Sequence, residues 1–385
     1  MVTATGSLQS FTRQYPLSDL LSIRLPLAVL LILPVFAPAI FPTSRLLSLA
    51  VTAAIYVIVA NGLHVVFSYA GQLSLAQTAL WGLGAYTSAL LLNHFGLPTL
   101  VLIPAAGLMA ALGAVLIGIP AFRTAGFSFA IITFAFAEIM RLIANNWDEL
   151  TNGSIGITVL DPPDAFGPVQ FGTFEHLPNF YHLTLAFSYL SLIGIFLIRQ
   201  SSLGKNFIAI RENETLAKSI GINVYVYKLI AFAISGFFAG VAGVFFMYHQ
   251  KHIEPGPLSP FAAFATIQFL LMILIGGRRS MLGPTIGAIV VVFGPELVNA
   301  LLGDWLTFNR SQMIFGGLLA LSVLTAPNGI AGQTRDGYNT FVATLRSSRE
   351  RGHHPVFSFL LAFSRATIPS RFRPRDESLD KEAQL

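Results

Sequence analysis

The chain has no cysteine and very little charge. Its 385 residues include 23 Lys and Arg against 18 Asp and Glu, 11% charged in all, where a soluble protein carries roughly a quarter. The missing cysteine excludes disulfides and thiolate metal sites and leaves the compartment open. No Gly-x-x-x-x-Gly-Lys-Ser/Thr run occurs, so a phosphate loop for ATP is excluded. No Ser-His-Asp arrangement or other nucleophile pattern is apparent. His249, His252 and Glu254 lie close in sequence without an evident fourth ligand, and no metal is expected. The net charge of +5 does not point to nucleic acid, because the basic residues sit in short loops and in the tail. Residues 1–24 contain Arg13 and Arg24 but no apolar core followed by a small-residue cleavage site. They are expected to be a retained cytoplasmic segment.

What the chain has is apolar sequence, 54% of it hydrophobic, in blocks near the ~20 residues that cross a hydrocarbon core as a helix. The blocks are continuous and do not alternate with period two, which argues against a transmembrane barrel. Thirty-three Gly and 21 Pro suit membrane helices, where small residues permit close approach. The expected fold is an all-α polytopic membrane protein of about ten transmembrane helices, some broken by Gly or Pro. The spans are expected near 25–42, 46–68, 74–93, 98–119, 127–144, 181–199, 226–249, 260–276, 283–302 and 311–325. The span at 74–93 is rich in Gly, Ala and Thr and is a candidate for a break or re-entrant turn.

Basic residues orient the bundle. The stretch 145–180 has no Lys or Arg but carries Asp148, Glu149, Asp161, Asp164 and Glu175, whereas 199–228 carries Arg199, Lys205, Arg211, Lys218 and Lys228. The positive-inside rule places the first outside and the second in the cytoplasm. With ten spans both termini are cytoplasmic; Arg45 and Arg310 are minor exceptions near outer ends. The organisation is thus residues 1–24, a transmembrane domain at 25–326, and an Arg-rich cytoplasmic tail at 327–385 whose apolar patch at 356–363 is too short to span. That tail reads as a disordered segment or a surface helix against anionic lipid. A weak echo links Tyr69-Ala70-Gly71-Gln72-Leu73-Ser74, before the third span, to Ile275-Gly276-Gly277-Arg278-Arg279-Ser280, before the ninth. It is compatible with an internal repeat and with chance.

The segment 201–222 stands out as a polar run between two long apolar ones. Ser201 or Ser202 can cap a helix start and Gly221 can close its end. Phe207, Ile208, Ile210, Leu216 and Ile220 supply apolar groups, and Arg211, Glu212, Asn213, Glu214 and Lys218 polar ones. A short helix of this kind at a membrane surface can seat in a cleft of a soluble motor subunit; an ordinary solvated loop helix has the same charge pattern.

The residues Arg211-Glu212-Asn213-Glu214, Ala217 and Gly221-Ile222, followed by Lys228-Leu229 and Ala231-Phe232, resemble the coupling loop of LivM-type permeases. These are membrane subunits of ABC importers for branched-chain amino acids. Gly71-Gln72-Leu73-Ser74-Leu75 with Gly82-Leu83-Gly84-Ala85-Tyr86, then residues 129–138, then Gly276-Gly277, Gly283-Pro284 and Gly287-Ala288, match the family's other signatures in order over most of 45–332. The chain departs from the pattern at Ala76-Gln77, where the family usually has Gly-His, at Arg279, where it usually has a third Gly, and at Thr151-Asn152-Gly153, where it has Thr-Gly-Gly. The resemblance implies a transport subunit with no ATPase site or cofactor of its own. It implies a second, LivH-like permease and two cytoplasmic ATPase subunits that hold ATP and Mg. It also implies a periplasmic or lipid-anchored solute-binding protein, and residence in a bacterial inner membrane with lipid around it. Arg211, Glu212, Asn213, Glu214, Ala217 and Gly221 are then the expected ATPase-coupling residues.

Polar residues in the apolar runs are candidates for the translocation path: Asn61, Gln72, Ser74, Gln77, Thr133, Glu138, Gln268 and Glu296. A carboxylate at depth faces a bundle interior or a water-filled path. Glu138 has a second reading, a helix-face pair with Arg141 at i+3. Glu296 follows Gly294-Pro295, a possible break in the ninth span, and has a second reading as an interhelical anchor. Gly71, Gly84, Gly236, Gly240, Gly276, Gly277, Gly283 and Gly287 read as helix-packing positions. Two rival functions remain: import of urea, short amides or another small polar solute by the same machinery, and ion-coupled secondary transport.

Overall fold

The computed structural model describes residues 33–40, 43–124, 126–159, 177–256, 261–262, 265–302 and 316–317. A 3-10 turn, Leu33–Phe36, leads into Ala37–Ile40. The bundle is then built from α1 Ser44–His64, α2 Gln77–Phe95, α3 Thr99–Ala121, α4 Phe127–Asn146 and α5 Leu177–Gln200. It continues with α6 Ser202–Glu212, α7 Glu214–Ser219, α8 Val224–Gln250, α9 Ala265–Gly276 and α10 Gly283–Leu302. Long apolar runs close into helices because hydrocarbon offers their backbone groups no other partner. Two-residue strands, β1 Ile157–Thr158 and β2 His252–Ile253, pair antiparallel at one end of the bundle. Helices α6 and α7 lie at the other end.

Among the described residues six helices are long and apolar enough to cross a membrane: α1 with its π-turn extension (Ser44–Tyr69), α3, α4, α5, α8 and α10 over Gly283–Ala300. Of the ten expected spans, α2 has the length but carries Gln77, Thr78, Thr87, Ser88, Asn93 and His94. Helix α9 has 12 residues, shorter than the expected 260–276. The last expected span lies outside the described residues apart from 316–317, as do 1–32 and the tail at 327–385; the first is described over 33–40.

The expected span at 74–93 is corrected at its start. Helix α1 ends in a π turn, Val65–Tyr69, and residues 70–76 are not helical. Gln77 Nε2 donates to the Val59 carbonyl at 3.2 Å, so α2 begins level with Val59. Val59 lies ten residues above Tyr69, about 15 Å at 1.5 Å per residue. The strap 70–76 therefore climbs back along α1 before α2 starts. The expected break of the ninth span is also corrected, since α10 runs as one helix through Gly294-Pro295. Proline removes one ladder bond, and a membrane helix can tolerate that loss when neighbouring groups satisfy the freed carbonyl.

Helices α1 and α8 form the centre, most of their residues buried; α4 is at the margin, most of its residues open to the outside of the bundle. Helix α8 packs on α3, α2 and α1. Apolar lipid supplies little hydrophobic drive for this packing, so close backbone approach matters. A Cβ on Gly84 would enter the backbone of Gly240, and one on Gly236 would lie 2.7 Å from the Ala110 carbonyl oxygen. Gly276, Gly283 and Gly287 draw α9 and α10 together in the same way, a Cβ on Gly287 running into the Met272 carbonyl. The two echoing linkers, 70–76 and 277–282, each open near a glycine of positive φ, Gly71 at 73° and Gly277 at 115°.

Candidate functional site: the α6–α7 loop and the strap it touches

The polar segment does not form the single helix expected between Ser201 and Gly221. Ser201 caps α6, its side chain accepting from the Gly204 N–H at 3.4 Å. Asn213 then leaves helical geometry (φ −157°, ψ 105°) and its Oδ1 accepts from the Leu216 N–H at 2.9 Å, capping α7. An Asn that caps one helix interrupts the helix before it. Gly221 closes α7 at φ 87°, in open space. Asn223 caps α8, accepting from the Val226 N–H at 3.3 Å.

The loop has an inner and an outer face. Phe207 and Ile210 are buried, and Ala217 joins Ile210 and Val224 in a small apolar cluster. Leu216 and Ile220 are exposed at 60% and 68%, beside the exposed Glu212. Glu214 opens α7 and binds Lys228 of α8 at 2.7 Å and Lys218 at 3.0 Å. Its carboxyl is held below the usual range, first by the Lys228 hydrogen bond, against some desolvation, and then by Lys218. Glu212 is likewise held low by its hydrogen bond from Arg211.

Arg211 points inward. Its Nη1 donates to the Ser68 carbonyl at 2.6 Å, while Nε and Nη2 bind the Glu212 carboxylate. From the α9–α10 linker, Arg278 donates to the Phe67 carbonyl at 3.4 Å and lies 4.6 Å from the Phe67 ring centre. Burial lowers the Arg278 pKa, and neighbouring Arg211 and Arg279 lower it further.

The strap is anchored at its other end too. The Leu75 N–H donates to Thr133 Oγ1 of α4 at 3.0 Å, and Thr266 Oγ1 of α9 donates to the Leu75 carbonyl at 3.1 Å. Thr78 meets Thr266 through its N–H at 3.2 Å and its hydroxyl at 2.9 Å. Ser74 Oγ accepts from the Ala76 N–H, and Gln72 bonds locally to Ala70.

The candidate path residues fall in separate places. Gln77 accepts from Ser235 at 2.8 Å and Asn61 donates to Ser191 at 2.9 Å, both buried at the centre. Glu138 binds Arg141 at 2.9 and 2.5 Å, and Arg141 also holds the Pro255 carbonyl. Glu296 binds Arg45 at 2.9 Å. Gln268 is exposed on α9. Sequence reasoning missed Ser191, Ser235, Thr78 and Thr266; their signal is a small hydroxyl inside an apolar run. Among the described residues no three His, Asp or Glu side chains converge as a metal site. His249 faces Ser48 and Thr52, while His252 faces Thr158.

The departure at Asn152 has a structural account. The position has φ 59°, a region that Asn enters more readily than other side-chain-bearing residues, and its Nδ2 donates to the Gly156 carbonyl at 3.1 Å.

The architecture defines a class: a polytopic α-helical membrane protein with a polar two-helix loop at one end. Comparison with known proteins then gives the family. The chain belongs to the family described as branched-chain amino acid transport system / permease component, whose model matches residues 45–324. It is 34% identical over 276 residues to the high-affinity branched-chain amino acid transport system permease protein LivM of Escherichia coli, across 66% of this chain and 62% of that one. It is 26% identical over 209 residues to the probable branched-chain amino acid transport permease protein LivH of Methanocaldococcus jannaschii, across 52% of this chain and 63% of that one. It is 23% identical over 209 residues to the ribose import permease protein RbsC of Haemophilus influenzae, across 54% and 61%. The matched stretch thus spans under two thirds of the length of each of these relatives. No solved structure matches the chain.

Proposed function

We propose that the chain is a membrane-spanning permease subunit of an ATP-binding-cassette importer that moves branched-chain amino acids across a bacterial inner membrane. The observation that carries this reading is the family match over 45–324, and the polar two-helix loop inside that stretch supports it. On that loop Glu212, Leu216 and Ile220 face outward while Phe207, Ile210 and Arg211 hold it to the bundle. Two cytoplasmic ATPase subunits bind ATP and Mg and dock on this loop and its counterpart in a second, LivH-like permease. A periplasmic or lipid-anchored binding protein delivers solute to the end that bears β1 and β2. The chain needs no cofactor of its own. The loop end and both termini face the cytoplasm. Asn61, Gln72, Ser74, Gln77, Thr133, Glu138, Gln268 and Glu296 remain proposed contributors to the path. Of these, Gln72, Ser74 and Thr133 belong to the strap or its anchors, so they act through its position.

The resemblance to a ribose permease favours one second reading, the same machinery with a different small polar cargo. Uptake of radiolabelled leucine into proteoliposomes holding the complete system separates the two. Competition by isoleucine and valine supports the first reading, and displacement by urea, short amides or ribose alone supports the second. Uptake that persists without the ATPase and collapses with the ion gradient refutes both. Glu212→Lys with Leu216→Asp on the outer face is expected to leave the chain inserted but abolish substrate-stimulated ATP hydrolysis.

A further inference from the structure

The Phe67 and Ser68 carbonyls lie where α1 gives way to the strap. Around them the Ala70 N–H bonds to the Val65 carbonyl and the Gln72 N–H to the Val66 carbonyl. A helix C-terminus presents carbonyls that the helix itself cannot satisfy, and basic side chains can hydrogen-bond them and suit the negative end of the helix dipole. Here two guanidinium groups, one from α6 and one from the α9–α10 linker, take the consecutive carbonyls, Arg278 that of Phe67 and Arg211 that of Ser68.

Arg211 also lies over the first turn of the strap. Gly71 has φ 73°, and a Cβ there would come within 2.9 Å of Arg211 Cγ and 3.3 Å of its Cβ. Four residues on, Leu75 is tied to α4 through Thr133 and to α9 through Thr266. The outer side of the same guanidinium binds Glu212, which is 64% exposed on the face proposed for the motor. One side chain thus joins an exposed carboxylate to a seven-residue strap that ends at the start of α2, against Thr133 of α4 and Thr266 of α9.

We infer that Arg211 is a positioning residue that transmits movement of the docking loop to the 70–76 strap, rather than a contact to the ATPase. The assignment rests on the transport reading above. A cation on the ATPase that approaches the outer side of Glu212 shares its carboxylate with Arg211 and leaves the inner contact in place. The loop and the strap then move as one piece, and the strap repositions the start of α2 together with α4 and α9. A ligand shifts such an equilibrium only through a difference in its interaction with the two states, and the shared carboxylate supplies that difference.

The test uses the complete importer in liposomes, with leucine uptake and ATP hydrolysis measured together. Arg211→Ala is expected to lower the leucine moved per ATP hydrolysed by about tenfold, within the range of a lost coupling contact. Arg211→Lys keeps a donor for the Ser68 carbonyl and recovers part of the ratio, which a purely structural defect does not predict. Gly71→Ala, which pushes on the Arg211 stem and leaves the charge, is expected to lower the ratio too. A wild-type complex that hydrolyses ATP without moving solute refutes the transport reading and this assignment with it. A working wild type alongside an Arg211→Ala variant of unchanged ratio overturns this assignment alone.

If Arg211→Ala does not insert, spin labels on the otherwise native complex decide. The Lys205→Cys and Leu73→Cys pair should keep one distance between the nucleotide-free and vanadate-trapped states. The Leu73→Cys and Leu112→Cys pair should change its distance. A changed first distance, or an unchanged second, overturns the inference.

Discussion

At the scale of single residues, the two carboxylates of the α6–α7 loop have different surroundings. Lys228 is 9% exposed and Glu214 is its carboxylate at 2.7 Å, so removing Glu214 strands a largely buried cation. Glu214 itself is 41% exposed, and solvent screening discounts the pair, leaving a cost of about 1 kcal/mol for Glu214→Gln at neutral pH. The folded-state pKa of Glu214 is depressed, with the Lys228 hydrogen bond the largest cause. Its stabilisation is therefore complete above the unfolded carboxyl value of about 4.3 and is lost as pH falls through the lower folded value. The melting temperature of the detergent-solubilised protein should drop on acidification below that point, and Glu214→Gln should flatten this part of the profile. Glu212, on the outer face, should show the reverse pattern: Glu212→Gln leaves the melting temperature unchanged and alters ATPase stimulation. Residue-scale pairs were legible when they were local. Glu138 and Arg141 are three apart on one helix, and that pairing is visible in the spacing. Arg45 and Glu296 are 251 positions apart, and only the fold shows that the carboxylate neutralises an arginine that otherwise breaks the orientation rule.

At the scale of elements, the closing glycine Gly221 and a cap at Ser201 or Ser202 could be read from the sequence, whereas the interruption between them could not. Asn213 has two local choices, to continue α6 or to cap α7, and propensity alone does not rank them. The strap was not legible as such: the break was expected within 74–93, whose Gly, Ala and Thr lie mostly in the unbroken α2. The depth at which α2 starts depends on Gln77 reaching the Val59 carbonyl, a contact made across the fold. The close helix approaches carry a firm expectation. Gly84 and Gly240 let α2 and α8 meet backbone to backbone. Gly84→Ala should therefore force the two helices apart and cost about 1–3 kcal/mol, as overpacking does. Gly221→Ala meets open space but inherits φ 87°, so its cost of about 1 kcal/mol is backbone strain alone. Gly221→Asn should recover most of it, because Asn tolerates that region, and Gly84→Asn should recover nothing. Reversible unfolding in mixed micelles of the four variants separates steric from conformational cost.

At the scale of the whole molecule, membrane class and family follow from composition and motif order, while the path does not. Polar residues in apolar runs announce themselves one at a time, yet Asn61 and Gln77 turn inward to Ser191 and Ser235, and Glu138 and Glu296 lie apart on the bundle's flanks. What composition does carry to this scale is orientation, and the absence of cysteine makes it measurable. Lys205 on α6 and Asp148 beyond α4 are both exposed and lie at opposite ends of the bundle. If basic loops stay inside, Lys205→Cys should react with a membrane-impermeant maleimide in inside-out vesicles and be protected in intact spheroplasts. Asp148→Cys should do the opposite. Because the background has no thiol, labelling of either variant reports one position. The reverse pattern would put Glu212, Leu216 and Ile220 on the side that holds no ATPase, and the docking proposal would fail whatever the transport assays showed.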